Sequence, residues 1–583
     1  MNIIFRIIKA AELSCLAIML LFSSCNKSAE NVTTVFKDVN VITMFNDSIL
    51  HGHSVLVKDG KIAAIGIFEE MTIPENTHII EGKEQYLIPG LCDMHVHYNN
   101  ENDRILYVAN GVTFVRNMFG APSHLKLRKK IKEKRLIGPE LYTTSPIIDG
   151  VKPYWPGSYV IGDKAQVFDA LSQMKKDGYD AIKVYWKLSK EVYDEIIRVA
   201  NELDMSVVGH VPKAIDIKHV LSSGQSSIEH LDGYEKYYAD EQIITQTLKS
   251  GTWNCPTLVV LKNLGMMDSL KHNPPSEIKY ASPDAVAWWK SGRPYDAHFV
   301  QKTKLLKTLA DNNANIVVGT DASNPYIIAG FSLHEELVIW QDAGITPYQI
   351  LLSATRKCAE MVGYESRLGT VEKGKDADLL LLKKNPLEDI NNTKSIAGVM
   401  TKGTWYPKAE LKLMLDEVAA KNAKGMQRLT IRNSHFIKVL VLFMFLSFLS
   451  TFIIRPVLFA FNKGKLASLK SADSSIKKYR IRLLVILVST ISLVLVLLLF
   501  TLPESVFQSG ISTLFITDLL TQTKVLMPFV ILIILIALSI IFSILWVRNN
   551  LSSFRKWHTL SVIIASIILL VLLKYWGLLK LYY

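Results

Sequence analysis

No Cys-x-x-Cys pair occurs in this chain, and its five cysteines are thinly spread over 583 residues. Cys15 and Cys25 fall in the first 25 positions, and Cys92, Cys255 and Cys358 lie far apart. That scarcity argues against a disulfide framework and against a thiolate zinc knuckle. Acidic residues are scarce in one region only. Residues 411–583 carry 20 Lys+Arg against 5 Asp+Glu, whereas residues 1–410 carry 46 against 48. The formal net charge of +13 therefore belongs to the tail. Nucleic-acid binding needs basic residues on a folded module with aromatic or groove-reading elements. Here the basic residues flank apolar runs instead, which is the pattern of membrane topology. No nucleic-acid partner is expected, and the length calls for several domains.

The apolar runs themselves divide the chain. Residues 1–25 combine Arg6 and Lys9 with an apolar core, Leu13 to Phe22, too short to span a bilayer. They end in Phe22-Ser23-Ser24-Cys25, which resembles a bacterial lipobox. An exported chain with a lipid anchor at Cys25 is expected, followed by a small polar tether over 26–34. At the other end, a charged linker or helix (411–435) precedes four apolar runs near 436–454, 483–502, 525–547 and 560–579, each of membrane-spanning length. Eight basic residues, Arg455 to Arg482, separate the first two runs, and Arg548, Arg555 and Lys556 separate the last two. The positive-inside rule places those loops in the cytoplasm and both ends of the tail outside. The expectation is a multi-pass membrane protein with its folded domain facing the periplasm and contacting membrane lipid. The runs hold almost no charge, so they read as an anchor rather than an ion path.

Between leader and tail, two patterns alternate. Residues 35–86 show short β-rich runs, including Ser54–Lys58 and Lys61–Gly66 joined by Asp59-Gly60, a hairpin signal. β-type sequence returns at 367–410 with the all-apolar Leu379–Leu382. The two flanks are expected to pair as one small β-sandwich around an inserted region, 87–366. That region alternates strand candidates (88–95, 112–116, 140–144, 181–186, 205–210, 226–230, 253–259, 315–320) with amphipathic stretches such as Lys164–Asp177, Lys190–Leu203 and Ile215–Ser223. Eight such units predict an α/β fold, a (β/α)8 TIM barrel, in which chemistry gathers at the C-terminal ends of the strands.

The strand ends carry metal-capable side chains. His95 and His97 share one face of the first strand, because side chains alternate with period two. Lys183 and Tyr185 share a face at the end of the fourth. The fifth ends in His210, the sixth in His230 and the eighth in Asp321. Singly, each has a plain explanation: a hydrogen-bonded core histidine, a barrel ion pair, a helix cap. Together, at the positions the barrel rule specifies, they predict a metal site.

The set His95-x-His97, Lys183, His210, His230, Asp321 resembles the amidohydrolase superfamily. Finer segments resemble its imidazolonepropionase-like and prolidase-like branch: Gly90-Leu-Cys-Asp-Met-His95-Val-His97, Gly111-Val-Thr-Phe-Val-Arg116, Ser227-Ile-Glu-His230, Gly319-Thr-Asp321-Ala and Leu333-His334-Glu335-Glu336-Leu337. Asn117 departs from the Arg-Asp common there. The resemblance implies two divalent ions, zinc foremost. His95, His97 and Asp321 would hold one, His210 and His230 the other, and a carbon dioxide-derived carbamate on Lys183 would bridge them. It further implies that Asp321 shuttles a proton between a metal-activated water and the leaving amine. Single-metal deaminases of the superfamily lack that lysine, so deamination is disfavoured. A Schiff-base role for Lys183 would leave four histidines unexplained. Tyr185, Arg116 and Tyr154 are the substrate-contact candidates, with Pro153–Pro156 walling the pocket and 262–300 folding over it. The expected reaction is hydrolysis of an amide or peptide bond in a small substrate, dipeptides first. Cyclic-amide or lactone hydrolysis and a non-catalytic ligand-sensing membrane protein are the alternatives, and a homo-oligomer is left open.

Overall fold

The computed structural model describes residues 33–432 and positions 560 and 564. The leader with Cys25, most of the tether and, those two positions apart, the four apolar runs lie outside the described residues. Among the described residues no helix is long and apolar enough to cross a membrane.

The chain begins with β1 (Thr34–Ile42), β2 (Ile49–Lys58), β3 (Lys61–Gly66), β4 (His78–Glu81) and β5 (Tyr86–Pro89). The hairpin between β2 and β3 turns at Asp59 and Gly60, both with positive φ, as a tight Asp-Gly turn requires. Strands β14 (Leu379–Leu382), β15 (Ile396–Thr401) and β16 (Thr404–Pro407) return much later and join the same sheet, β14 pairing antiparallel with β5. The two flanks thus pair, but as one eight-stranded sheet rather than two stacked ones. It curls until its ends meet: Ala377 N–H donates to Gly60 O, Gly403 N–H donates to Ala377 O, and Lys61 bridges Asp376. Trp405 packs edge-on against Phe36 across the interior at 5.2 Å.

Strand β14 is all leucine because both of its faces are buried. Leu379 and Leu381 enter the core of the curled sheet, and Leu380 and Leu382 enter the core of the neighbouring barrel.

The barrel strands are β6 (Leu91–Val96), β7 (Val112–Asn117), β8 (Glu140–Asp149), β10 (Ala181–Val184), β11 (Ser206–Gly209), β12 (Ser227–Glu229) and β13 (Trp253–Cys255), with the short β9 (Tyr159–Val160) beside β8. All neighbours pair in parallel. Residues 316–322 close the ring through isolated contacts rather than a regular ladder. Met94 N–H donates to Val318 O, Val317 N–H to Asn254 O and Asp321 N–H to His95 O.

The bounds differ most from the sequence reading at three strands, and 315–320 forms no regular strand. The expected strand 88–95 is two strands, parted at Gly90, where a side chain would collide with Thr113. The third strand runs on to Asp149. The seventh stops at Cys255, because helix Leu258–Gly265 follows at once. The buried Glu336 carboxyl group accepts from the backbone N–H groups of Leu258 (2.9 Å) and Val259 (2.5 Å), so it caps the first turn of that helix.

Of the two forms expected for this stretch, linker or helix, residues 411–432 take the helix. They belong to the helix Lys408–Arg432, which docks on the barrel with Leu411 and Val418 buried. Asn422 Nδ2 donates to Tyr280 O (2.8 Å), and Lys421 Nζ donates to Asn102 Oδ1.

His334 belongs to this framework rather than to the strand ends. It lies in the helix Phe331–Asp342, where Nε2 meets Asn110 O and Nδ1 meets Thr393 Oγ1. Burial lowers its pKa from 6.5 to about 4. The unfolded chain therefore takes up this proton near pH 6.5 and the folded chain only near 4, so stability is lost as pH falls through that window. His334→Gln keeps a donor for Asn110 O and removes the titration. The urea midpoint of the variant should fall less between pH 7 and pH 4, by up to about 3 kcal/mol in unfolding free energy. An equal fall in both proteins would show that His334 does not drive it.

Candidate metal centre

His95, on β6, is fully buried, and its Nδ1 meets Glu229 Oε2 at 2.8 Å. Glu229, the last residue of β12, is held in turn by Arg116 Nη2, at 2.9 Å from both carboxylate oxygens, and by Ser227 Oγ. Arg116 also donates from Nε to Met94 O and from Nη1 to Ser227 Oγ. All of these polar contacts are internal and the side chain is 1% exposed, which removes Arg116 as a substrate contact. A guanidinium at a strand end can face either the opening or the neighbouring strands, and here the buried Glu229 draws it inward.

With Nδ1 engaged, His95 turns Nε2 to the barrel mouth, where that atom is buried and makes no hydrogen bond. Asp321 Oδ1 lies 3.5 Å from it and 2.9 Å from His97 Nε2. The His230 ring stands 4.5 Å from His95 and 4.8 Å from His210, with Nδ1 bonded to Thr257 Oγ1 at 2.6 Å. His210 Nδ1 is held by Asp232, whose carboxylate also accepts from Trp186 Nε1. Lys183, on β10, is 1% exposed and its Nζ has no hydrogen-bond partner. The structure thus brings His95, His97, His210, His230, Lys183 and Asp321 together at one end of the barrel.

The charges follow from burial. It lowers His95 and His230 well below the usual imidazole range, aided at His95 by the Lys183 ammonium. Burial lowers His210 as well, and brings Lys183 from 10.5 to about 8. It pushes the Asp321 carboxyl up, but His230, His97 and Lys183 together hold it below its ordinary value. Neutral imidazoles beside an ionised carboxylate form a donor set suited to zinc and related divalent ions. His95, His230 and Asp321 each present a ligand atom within 4.8 Å of the others. His95, Glu229 and Cys255 are equally close, but there the polar atoms already serve Arg116 and His95, and burial raises the Cys255 thiol well above its usual pKa. The mouth group, with its orphaned nitrogens, is the one that fits an ion.

Several supporting residues were not singled out from the sequence. Glu229 sits inside a quoted motif, next to His230. Asp232 follows His230 by two. Asp93 precedes His95 by two and ties the first strand to the closing segment, accepting from Thr320 N (3.0 Å) and Thr320 Oγ1 (2.6 Å). Thr257 carries no sequence signal. Left-handed backbone recurs at His230 (φ 59°), Leu231 (φ 51°), Thr257 (φ 50°) and Asp321 (φ 63°), a costly conformation for non-glycine residues that packed surroundings must hold. Gly319 permits the closest approach, since a Cβ there would come within 2.9 Å of His95 Cβ and 2.5 Å of Cys255 Sγ.

The aromatic candidates line one side. Tyr185 packs its ring 4.2 Å from His210 and accepts from Trp155 Nε1 at 2.8 Å. Tyr154 is half exposed, with its ring 6.0 Å from Tyr185. Asp149 sets this wall by accepting from the backbone of Tyr154 and Lys187. Asn117 bonds Tyr98 N, Phe119 O and Thr143 Oγ1, a purely structural role.

Residues 86–406 match the model of the amidohydrolase family. An ochratoxinase of Aspergillus niger is 23% identical over 412 residues, covering 58% of this chain and 79% of that protein. An imidazolonepropionase of Shewanella piezotolerans is 24% identical over 417 residues, covering 62% and 96%. Among solved structures, a Xaa-Pro dipeptidase with bound methionine superimposes with a TM-score of 0.54 at 21% identity, covering 64% of this chain and all of that one, and shows the same fold. With the family match spanning more than half its length, the chain belongs to the amidohydrolase family.

Proposed function

We propose that the protein hydrolyses amide bonds in small substrates, dipeptides foremost, and that two divalent ions bind at the strand ends. The observation that carries this reading is the orphaned Lys183 amine, buried among four histidines and Asp321. A free ammonium there repels cations, whereas its carbamate is an anionic oxygen ligand able to join two sites. His95, His97 and Asp321 would hold one ion, His210 and His230 the other, with Lys183 between them. Bound there, the ions supply Lewis acidity to the scissile carbonyl.

The chain's own groups do the rest. Asp321 is held ionised by His230, His97 and Lys183; its Oδ1 lies 2.9 Å from His97 Nε2 and 3.5 Å from His95 Nε2, while Oδ2 has only His230 Nδ1 beside it, at 3.9 Å. Oδ2 is therefore the atom to accept a proton from the attacking water. As the water oxygen bonds to the carbonyl carbon and the carbon–nitrogen bond breaks, the same carboxyl returns that proton to the leaving amine. Glu229 and Asp232 keep His95 and His210 in one tautomer, with Nε2 toward the site. Tyr185 and Tyr154 offer an aromatic wall to the substrate. The leader and the basic loops of the tail support placing this reaction on the outer side of a membrane, with lipid as a partner.

A panel of dipeptides, cyclic amides and lactones assayed with the metal-loaded protein tests the reading. Dipeptides should give the highest kcat/KM. Asp321→Asn should lower it about 10²- to 10⁴-fold, and retention of full turnover would count against Asp321 as the proton carrier. Lys183→Ala should lose bound metal, measured by elemental analysis, and a short carboxylic acid in the buffer should restore part of it. Undiminished metal content would dismiss the bridging role. Arg116→Gln leaves Glu229 buried without its cation, with only His95 Nδ1 and Ser227 Oγ as partners. We expect it to lower stability by about 3–5 kcal/mol and to weaken metal affinity about 10- to 100-fold, both measurable by denaturation and metal titration.

A further inference from the structure

A shallow crevice open to solvent, with a cavity volume of about 20 Å³, lies beside the strand ends. Its walls are the helix Asp103–Ala109, residues 281–289 and residues 323–329. It adjoins the metal centre in sequence on two sides, since Asn99 follows His97 by two residues and Ser323 follows Asp321 by two. Its lining is apolar or neutral with one exception, Asp103, which is 7% exposed.

A carboxylate in that position is costly unless something cationic meets it. Its own surroundings supply only a hydrogen bond from the Asn100 backbone N–H, and burial raises its pKa from 3.8 to about 7. The neighbouring cations are turned elsewhere: Arg104 Nη1 donates to Ile137 O and Lys421 Nζ to Asn102 Oδ1. Among the described residues no side-chain cation pairs with Asp103. Two tryptophans line the same crevice. Trp289 is fixed by a hydrogen bond from Nε1 to Ser323 O and by packing against Tyr326, while Trp288 is half-buried. A buried acid and an indole lining one crevice make an environment that binds an ammonium group, through a charge-assisted hydrogen bond to the acid and contact with the face of the indole.

We infer that this crevice is the subsite for a primary ammonium group on the substrate, seated on Asp103 against Trp288, so that the preferred amides carry a free amine. The inference rests on the hydrolase reading above and narrows its substrate class. No covalent step is involved; the subsite selects and orients.

The test compares amide substrates in pairs, one with a free amine and one with that amine acetylated, using the metal-loaded full chain. Wild type should favour the free amine at least tenfold in kcat/KM. Asp103→Asn keeps the shape and can still accept from Asn100 N–H, and it should collapse that ratio to about one, chiefly through KM. A wild-type ratio near one, or a variant that keeps the wild-type ratio, overturns the inference. If wild type turns over neither member of any pair, the hydrolase reading fails, and the subsite is judged separately by titration with n-butylammonium. A saturable change in tryptophan fluorescence that is lost in Asp103→Asn supports the subsite, and no saturable change in wild type overturns it.

Discussion

Glu229 is a carboxylate with no access to solvent, both of its oxygens held by Arg116 Nη2 on one side and one of them by an imidazole on the other. Isolated, such a charge would be strongly destabilising. With Arg116 in place it is instead held below its usual pKa, burial notwithstanding. The consequences run outward in both directions. Toward the barrel wall, Arg116 ties Met94 O and Ser227 Oγ together, linking strands that are not neighbours in the sheet. Toward the mouth, the engaged Nδ1 leaves His95 with only Nε2 to offer, and that atom faces Asp321. The same device recurs at His210, where Asp232 occupies Nδ1. These two histidines are thus oriented by carboxylates lying behind them, each of which has its own cation: Arg116 behind Glu229, and Lys302, 3.9 Å from Asp232.

This layering explains what could be read in advance. The strand-end rule collects chemistry-bearing residues from distant parts of the chain, so His95, His97, Lys183, His210, His230 and Asp321 were legible as a set without any geometry. Their supports were not, because each support is defined by a partner far away in sequence. Asp93 and Thr320 are separated by 227 positions, and nothing local in either marks the pairing. Arg116 shows the limit most plainly. Its position at a strand end was read correctly, yet the residue type is equally suited to a substrate carboxylate and to a buried glutamate, and only the presence of Glu229 across the barrel decides. Asn117 is the converse: its departure from the family pattern was visible, and its bonds show a residue that fastens the Tyr98 and Phe119 backbone.

The fold was legible where periodicity was enforced on both faces and obscure where a capping contact intervened. Leu379–Leu382 announces a strand buried on both sides, and it is one. The seventh strand ends four residues short of its expected bound because Leu258 and Val259, which extend the apolar pattern, open a helix, and apolar runs do not distinguish strand from buried helix. Glu336, about 80 residues later, settles the matter by capping that helix. The closing segment 316–322 likewise forms no regular ladder, since Thr320 and Asp321 turn their polar groups to Asp93 and the mouth while Gly319 lets the backbone press against His95.

The helix Lys408–Arg432 gives the mouth a second boundary. It leaves the curled sheet directly after β16 and runs across the outside of the segments that frame the Asp103 crevice. Asn422 holds the backbone at Lys279 and Tyr280, Gly425 lies close to Pro283, and Lys421 reaches Asn102, the residue before Asp103. The two walls of the crevice come from parts of the chain more than 170 positions apart, and this one helix is bonded to both. The geometry around Asp103 therefore depends on a contact made by the last described element of the chain, just as the geometry around His95 depends on Arg116.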